Sequence, residues 1–484
     1  MGLLGILVAL GLLIWLAYRG WSILLLAPAA ALLASAFARE PLLAHWTQTF
    51  MGSAAQFLAQ FFPLFLLGAL FGKLMDDSGS VRAISRFMTE RLGPSRAVLA
   101  VVLAGAMVTY GGVSLFVAFF VLAPMAQELF RAAGIPRRLM PAAIALGTST
   151  FTMSAMPGTP AIQNAIPMPF FGTTPFAAPG LGIIASAVML GFGLWWLRRA
   201  EVRARQNGEG FGSGEPGAPR VVTDDQLIRD RATTAREFDP AELQHGRVSE
   251  DLPPIGLAAL PLAVVVIVNL LMAFVILPRH DFSFLAEARW HSTSIAAVGG
   301  VWSVIVALAT AVLTVIAINR RRLPDLRGSM DAGANASVLP ALSVASLVGF
   351  GAVVAMLPAF EMVRDWVLSI GGGPLVSLAA ATNVLAALTG SASGGLTIAL
   401  DALGQTYMRL ASEQGIDPAL LHRVAVISSG TLDSLPHNGA VVTLLAVCGT
   451  THNDSYRDIV MVAIIGAILA LVAVIMLGSI FGSF

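Results

Sequence analysis

Long apolar stretches, separated by short charged or turn-rich stretches, run through the whole sequence. Three stretches, residues 97–127, 139–197 and 366–400, contain no aspartate, glutamate, lysine, arginine or histidine. Because the hydrocarbon core of a bilayer is about 30 Å thick, a helix needs roughly 20 apolar residues to cross it. The pattern predicts full membrane spans near residues 2–18, 21–38, 51–73, 174–197, 255–277, 293–318, 337–357 and 458–481. The sequence therefore predicts an all-α polytopic membrane protein.

The composition agrees with this fold class and excludes others. The chain has 484 residues, of which 56% are hydrophobic and 12% are charged, whereas an average soluble domain carries about 25% charged residues. A water-soluble enzyme, a disordered scaffold and a coiled coil are excluded. The net charge of +1 gives no reason to expect nucleic acid as a partner. The single cysteine, Cys448, excludes intrachain disulfides and any cysteine-based metal site.

Four further apolar stretches are interrupted near their centres by glycine, serine, threonine and proline. Residues 96–131 and 375–412 each predict two helical arms joined by a tip, which is a re-entrant hairpin. Residues 138–170 and 418–449 each predict a membrane helix that is broken in the middle. Because a hairpin and a broken helix follow each other in the same order twice, the chain is predicted to contain two duplicated halves.

The predicted halves are residues 1–198 and 254–484. Residues 199–253 mix charge, glycine and proline, which indicates a mostly flexible aqueous linker with a short helix near residues 240–244. The first apolar stretch has neither a basic segment before it nor a small-residue cleavage site. We therefore expect it to be a membrane span and not a cleaved signal peptide.

Arginine clusters set the predicted orientation of the chain. Two loops are rich in arginine: Arg198, Arg199, Arg203 and Arg205 in one, and Arg320, Arg321, Arg322 and Arg327 in the other. Because positively charged loops stay in the cytoplasm, the long central loop is predicted to be cytoplasmic, in a protein of the cell inner (plasma) membrane. The first hairpin then follows a span that ends inside, and the second follows a span that ends outside. The halves are therefore predicted to be inverted repeats, with about ten transmembrane helices, two re-entrant hairpins and two broken helices.

Breaks at the same place in two inverted halves are typical of the binding site of a transporter. Backbone groups freed from helical bonding cannot face lipid, where each costs several kcal/mol, so a substrate, an ion or water is expected to satisfy them. The N-termini of half-helices suit a carboxylate. The predicted substrate site comprises Thr109, Tyr110, Gly111, Gly112, Ser114, Thr159, Ser391, Ser393, Gly394, Asn438 and Gly439. The alternative is that the breaks are kinks in packed helices.

The charges near the breaks predict the coupling ion and the charge of the substrate. Asp433 and His437 are the only ionisable residues predicted inside the broken helices, and a charge in mid-membrane costs about 2.5–3.5 kcal/mol. We expect this pair to carry a driving proton, although Asp433 as a helix cap and His437 bonded to a carbonyl stay open. The alternative is sodium held by Ser428, Ser429 and Thr431, with Asp433 as counter-charge. No lysine or arginine is predicted at the breaks, which favours a monocarboxylate over a tricarboxylate.

Three other carboxylates receive structural roles. Asp76 and Asp77 end a predicted span, and we expect them to cap the helix at residues 79–92. Asp401 lies on the second arm of the second hairpin, where we expect a packing or interface group. Beyond the coupling ion, H⁺ or alternatively Na⁺, the sequence gives no reason to expect a cofactor.

Short motifs at these positions carry a resemblance to a known family. Residues 72–79 read GKLMDDSG and are followed by an Arg-Ala-Ile stretch, and residues 390–393 read GSAS. Both resemble the gluconate:proton symporter family, part of the ion transporter superfamily. The first tip, Tyr110-Gly111-Gly112, lacks that family's carboxylate, and residues 155–160 lack its histidine. In these departures the chain is similar to a branch named as hydroxybutyrate-type permeases.

The resemblance implies a fold and a mechanism. It implies two inverted repeats of five spans and a hairpin each, a transport domain that moves against a scaffold, and a homodimer. It also implies that a small organic acid anion moves together with a coupling cation.

The predicted function is therefore a proton-coupled secondary active symporter of the elevator type. Its substrate is expected to be a small organic acid anion such as gluconate or a short hydroxy-monocarboxylate. A sodium-coupled di- or tricarboxylate symporter is the alternative, and a channel or an intramembrane hydrolase is a distant one. An enzyme is not expected, because the sequence has no HExxH and no serine–histidine or paired-aspartate arrangement on its helical arms.

Overall fold

The computed structural model describes residues 2–19, 21–212, 249–436 and 438–484, and these residues are helical with connecting loops and no strand. The helices of the first half are Gly2–Tyr18, Ile23–Ala38, Leu42–Asp77, Ser80–Leu92, Ala97–Tyr110, Leu115–Ala133, Met140–Thr148, Phe151–Ser154, Ile162–Ala165, Pro167–Phe171 and Pro179–Gln206. Those of the second half are Ile255–Arg279, Ile295–Ile318, Leu326–Met356, Phe360–Leu368, Gly373–Thr389, Ala392–Gln414, Pro418–Thr431, Gly439–Cys448 and His452–Phe481. Short 3₁₀ turns lie at Pro94–Arg96, Arg137–Leu139, Ser283–Ala286 and Ala288–Trp290.

Seven of the described helices are long and apolar enough to cross a membrane alone: Leu42–Asp77, Leu115–Ala133, Pro179–Gln206, Ile255–Arg279, Ile295–Ile318, Leu326–Met356 and His452–Phe481. The prediction of an all-helical polytopic membrane protein is confirmed. The other predicted spans correspond to shorter apolar helices, such as Ile23–Ala38, and to broken helices whose two parts together approach the length of a span. The arm Ala97–Tyr110 has 14 residues, which at 1.5 Å per residue is about 21 Å and too short to cross.

The last spans of the two halves, Pro179–Gln206 and His452–Phe481, pack against each other in opposite directions. Near the end of the first, Trp196 Nε1 donates to Asp458 Oδ1 near the start of the second at 2.9 Å. At the other end, the backbone N–H of Gly180 donates to the carbonyl oxygen of Phe484 at 2.7 Å. Equivalent helices that run antiparallel are what inverted halves require.

A second equivalent pair, Leu42–Asp77 and Leu326–Met356, is antiparallel in the same way. Thr49 Oγ1, near the start of the first helix, lies 3.5 Å from the sulfur of Met356 at the end of the second. In the opposite sense, Ser329 Oγ near the start of the second donates to Asp77 Oδ2 at 2.6 Å. The element order span, amphipathic helix, hairpin, broken helix and span occurs in both halves. This order and this antiparallel packing are what the predicted inverted repeat requires.

The predicted linker begins later than expected. The helix Pro179–Gln206 continues past residue 199, because an Arg- and Glu-rich turn follows the apolar span without a helix breaker. Residues 213–248, and with them the helix expected near residues 240–244, lie outside the described residues. Where the chain is described again, Arg322 Nε pairs with Asp251 Oδ2 at 3.0 Å.

Lys73 and Asp77 form a buried ion pair where the halves meet. Lys73 Nζ lies 2.9 Å from Asp77 Oδ1, and the two side chains are 2% and 0% exposed. Asp77 also accepts the hydrogen bond from Ser329. The expectation that Asp76 and Asp77 cap the next helix is wrong, because that helix, Ser80–Leu92, begins after Gly79 and neither carboxylate accepts a hydrogen bond from its backbone in the described structure.

Labelling of single cysteines tests the inversion. Arg131 and Arg409 are both exposed near the ends of the hairpins' second arms. In a Cys448→Ala background, Arg131→Cys and Arg409→Cys should react with a membrane-impermeant maleimide from opposite sides of right-side-out and inside-out vesicles, because inverted hairpins end on opposite sides. Reaction of both cysteines from one side only would contradict the inversion.

Because one ion pair is buried and the other is exposed, two mutations of the same chemical type should lower the free energy of unfolding by different amounts. Asp77→Asn removes the carboxylate that pairs with the buried Lys73 and should lower the free energy of unfolding by about 3–5 kcal/mol. Glu90→Gln breaks a pair with Arg86 whose side chains are 69% and 62% exposed, and should cost no more than about 1 kcal/mol. Thermal unfolding in detergent measures the difference, and equal melting temperatures for the two variants would show that the buried pair is not stabilising.

Candidate functional site

The tip of the first hairpin is a tight turn that packs against the first break. The helix Ala97–Tyr110 ends there, and Gly112 follows with a φ of 101°, in the left-handed region that favours glycine. A Cβ on Gly112 would lie 2.9 Å from Pro160 Cγ. Thr109 Oγ1 donates to the carbonyl oxygen of Gly105 at 2.8 Å. Because Gly112 has no side chain, the ring of Pro160 in the first break can pack closely against it.

The tip of the second hairpin turns at Gly390, which has a φ of 64°. Ser391 then caps the helix Ala392–Gln414, because its Oγ accepts a hydrogen bond from the N–H of Gly394 at 3.2 Å. A Cβ on Gly394 would lie 2.5 Å from Leu347 Cδ1. The space that this glycine leaves is therefore filled by a leucine from the span Leu326–Met356.

The first break, residues 155–161, is held by protein side chains. Four of its carbonyl oxygens accept hydrogen bonds: Ala155 from Arg423 Nη1 at 3.1 Å, Pro157 from the Tyr110 hydroxyl at 2.8 Å, Gly158 from Asn269 Nδ2 at 3.0 Å, and Thr159 from Asn164 Nδ2 at 3.0 Å. Backbone groups that leave a membrane helix must find partners inside the protein. Two predicted members of the substrate site, Tyr110 and Thr159, take part in this network.

Two ionisable residues that sequence reasoning did not place at the site are fully buried beside this break. Arg423 is 0% exposed, and its Nε also donates to the carbonyl oxygen of Ala177 at 3.1 Å. His422 is 0% exposed and lies 2.6 Å from Thr173 Oγ1 through Nδ1. Asp433 and His437 are therefore not the only ionisable residues of the broken helices, and the expectation of no arginine at the breaks is wrong. Within the described residues, Arg423 makes no ion pair.

The burial of Arg423 follows from where its helix begins. Pro418 is the first residue of the helix, and Asp417 Oδ1 caps it by accepting a hydrogen bond from the N–H of Ala419 at 2.8 Å. His422 and Arg423 are then more than one turn inside the helix. The signal available in the sequence was this cap, because an aspartate followed by proline marks a helix start.

The second break, residues 432–438, is organised by Asn438, which is 2% exposed. Asn438 Nδ2 donates to the carbonyl oxygen of Gly390 at 2.9 Å and to Asp433 Oδ1 at 2.8 Å. Its Oδ1 accepts from the N–H of Ala440 at 2.7 Å, which caps the helix that starts at Gly439. Asn438 thus connects Asp433 to the tip of the second hairpin, and it supplies the cap that the sequence had offered to Asp433. His437 lies outside the described residues.

The three hydroxyl residues of the sodium alternative are buried on the helix Pro418–Thr431. Ser428, Ser429 and Thr431 donate to carbonyl oxygens three or four residues earlier in their own helix. Between them, a Cβ on Gly430 would lie 3.2 Å from Ser154 Cβ. The two broken helices therefore cross at this glycine.

A central cavity of about 200 Å³ lies where the first break and both hairpin tips meet two spans. Four predicted site residues line it: Thr109, Gly112, Ser114 and Ser393. The spans Leu42–Asp77 and Leu326–Met356 contribute Leu64, Phe65, Gly68, Ala69, Ala336, Ser337, Pro340 and Val344. The other predicted residues, Tyr110, Gly111, Thr159, Ser391, Gly394, Asn438 and Gly439, are not part of this lining.

Gln163 is the cavity residue that sequence reasoning missed. It is 8% exposed and lines the central cavity, and its Oε1 is buried without a hydrogen-bond partner among the described residues. A buried acceptor without a donor costs about 1–3 kcal/mol. The only sequence signal was Gln163 itself, a polar residue in the charge-free stretch directly after the first break.

The electrostatics of the central cavity come from the backbone. No charged side chain lines the cavity in the described structure. Ser114, Leu115 and Phe116 line it, and they form the N-terminus of the helix Leu115–Ala133, where the Ser114 side chain makes no capping bond. A helix N-terminus is equivalent to roughly +0.5 elementary charge. Among the described residues, no group of three or more histidine, cysteine, aspartate or glutamate side chains could hold a metal ion.

Antiparallel halves that bring two hairpin tips and a broken helix around one cavity define the class of secondary transporters. Comparisons with known proteins agree. Residues 1–170 match the model of the GntP family permeases. The chain is 39% identical over 487 residues to the uncharacterized transporter YxjC of Bacillus subtilis (strain 168). The alignment covers 98% of each of the two chains. The chain belongs to the GntP permease family, and it is a transporter and not an enzyme.

A solved structure shows the same fold. The Neisseria gonorrhoeae protein MtrF, described as one of a class of antimetabolite efflux pumps, aligns over 91% of this chain and 85% of its own with a TM-score of 0.55. The sequence identity is 15%, so this likeness concerns the fold alone.

Proposed function

We propose that this chain carries a small hydroxylated monocarboxylate, such as gluconate or a shorter hydroxy acid, across the inner membrane together with a coupling cation. The observation that carries the proposal is the central cavity, which is lined by Gln163 and by the N-terminus of Leu115–Ala133; the Oε1 of Gln163 is buried and has no hydrogen-bond partner among the described residues. The central loop is taken as cytoplasmic, following the positive-inside rule.

The size and the charge of the cavity support a small anion with one negative charge. Its volume of about 200 Å³ is below the roughly 300–1,000 Å³ of sites for drug-sized ligands. The helix N-terminus that begins at Leu115 suits a single carboxylate. Three carboxylates would need cationic side chains, and Arg423, the buried cation nearest the first break, donates to the carbonyl oxygens of Ala155 and Ala177 instead.

The unpaired acceptor supports a substrate with a hydroxyl group. A carboxylate anion has no proton to donate, whereas a hydroxyl can donate to Gln163 Oε1. The hydroxyls of Thr109, Ser114 and Ser393 on the same lining can accept or donate as the substrate requires. A hydroxy acid therefore pairs both polar features of the cavity.

The proposed movement is of the elevator type, in a homodimer. The lining of the central cavity comes from two groups of elements, the hairpin tips with the first break and the spans Leu42–Asp77 and Leu326–Met356. Small residues on the span side, Gly68 and Ala69 among them, allow the tips to pass closely. A moving unit of hairpins and broken helices would carry the substrate past these spans.

Removal of the Gln163 acceptor tests the substrate class. In proteoliposomes, Gln163→Leu should reduce uptake of labelled gluconate or 3-hydroxybutyrate about 5–10-fold, as expected for the loss of one buried hydrogen bond. Butyrate, which has no hydroxyl, should compete equally well in both proteins. Gln48→Leu, at an exposed glutamine, is the matched control. An equal loss for hydroxylated and plain acids would contradict the hydroxyl contact.

The proposed coupling site is Asp433 with His437, which lies outside the described residues. Asp433 is hydrogen-bonded to Asn438, and Asn438 is hydrogen-bonded to the second hairpin tip. A change of charge at Asp433 would therefore change the electrostatic potential at the place where we propose that Ser393 contacts the substrate. Protonation of Asp433 or His437 would favour an anion nearby, and by linkage the anion would favour the proton. The sodium alternative uses Ser428, Ser429 and Thr431 as oxygen ligands.

Neutralisation of Asp433 distinguishes the two cations. If protons couple, Asp433→Asn should abolish concentrative uptake of labelled gluconate and spare gluconate counterflow, because exchange needs no net proton movement. If sodium must bind first, both activities should be lost. Asp331→Asn, at an exposed carboxylate, is the control. Concentrative uptake at the wild-type level in Asp433→Asn would remove Asp433 from the coupling site.

A further inference from the structure

A second cavity, of about 300 Å³, lies along the second hairpin and is here called the polar cavity. Its polar lining consists of Asp401 and Thr397 from the hairpin, Ser53, Gln56 and Gln60 from the span Leu42–Asp77, and Thr293. Apart from Thr397, which donates to the carbonyl oxygen of Ser393 at 2.7 Å, these side chains make no hydrogen bond within the described structure. The second hairpin, the span Leu42–Asp77 and Thr293 together present one carboxylate, two amides and three hydroxyls to this cavity.

The polar cavity and the central cavity are lined by the same hairpin arm and the same span, at neighbouring positions. On the hairpin, Ser393 lines the central cavity, whereas Thr397 and Asp401 line the polar one. On the facing span, Leu64 lines the central cavity and Gln60 the polar one. Residues four apart lie on one helix face about 6 Å from each other. The two cavities therefore lie next to each other along the same two helices.

Asp401 is the only titratable side chain on the polar cavity among the described residues. The span Leu42–Asp77 contributes the amides and a serine, the start of Ile295–Ile318 contributes Thr293 and Ala297, and the remaining contacts are apolar. Asp401 forms no ion pair within 4.0 Å in the part of the chain that the structure describes. Asp401 is exposed, so the polar cavity is open at this carboxylate. A charge within a membrane segment costs about 2.5–3.5 kcal/mol, and water, a proton or a cation at the carboxylate would lower this cost.

The chemistry of the polar cavity excludes the transported anion as its ligand. A carboxylate in the lining repels another carboxylate, whereas carboxylate, amide and hydroxyl oxygens are ligands for a proton or a hard cation. Thr293 and the first half of Leu42–Asp77, which carries Ser53 and Gln56, lie towards the membrane side that the positive-inside rule makes external. We infer that the polar cavity is an external entry site, at which the coupling monovalent cation, H⁺ or Na⁺, binds Asp401 before it reaches the proposed coupling site at Asp433. This inference rests on the proposed function.

Cation-dependent unfolding of the purified full-length chain tests the site without a substrate. The melting temperature is measured against NaCl at constant ionic strength with choline chloride, and separately against pH from about 5 to 8 without sodium. A shift with sodium at fixed pH assigns sodium, and a shift with pH alone assigns the proton. In an Asp433→Asn background, which removes the proposed coupling site, Asp401→Asn should raise the sodium or proton concentration of half-maximal shift at least about tenfold, and Asp401→Glu should restore most of the response.

Asp365→Asn is the matched control, because Asp365 is a 70% exposed carboxylate paired with its neighbour Arg364. A wild-type cation response in Asp401→Asn, or the same loss in Asp365→Asn, overturns the inference. Uptake of labelled gluconate in proteoliposomes separates this site from the proposed function. If no hydroxy acid is carried but Asp401→Asn still loses the melting response, the function fails and the site stands. If uptake by Asp401→Asn keeps the wild-type cation dependence, the site fails and the carrier stands.

Discussion

The rest of this structure depends on one constraint: a backbone group that leaves a helix inside a membrane must find its hydrogen bond within the protein. The first break meets it with side chains from four places in the chain, among them Tyr110 on the first hairpin and Asn269 on a span of the second half. The position of the hairpin tip, the approach of the span and the burial of Arg423 are all consequences of supplying these donors. The cavity is the space that remains once the donors are in place.

Much of the fold follows from the spacing of apolar residues. Each charge-free stretch had to be helical, and the position of glycines such as Gly112 and Gly390 indicated where helices turn back. The order of elements then repeated itself visibly along the chain, and the structure shows equivalent helices packed antiparallel. The ends of the helices were harder to predict from the sequence, because a charged turn such as the one after residue 199 can extend a helix without adding to the apolar pattern.

The site could be predicted from the sequence only in part. Thr109, Gly112, Ser114 and Ser393 could be found because they sit at interruptions, and interruptions are visible in a sequence. Gln163 could not be found in this way, since a glutamine next to a break looks the same whether its oxygen is paired or not. Arg423 was missed because charge next to an apolar stretch usually marks the end of that stretch; the loop near Ala177 that covers it comes from the other half of the chain.

That contact between halves has a consequence for how the protein is made. The carbonyl oxygens of Ala155 and Gly158 enter the membrane before their donors have been synthesised. The first break therefore lacks two of its four donors until Asn269 is made, and still lacks Arg423 for much of the remaining translation. During that interval water, lipid headgroups or an insertion factor has to stand in for the guanidinium group. The first half is thus a late-maturing intermediate whose final shape is set only when the second broken helix inserts beside it.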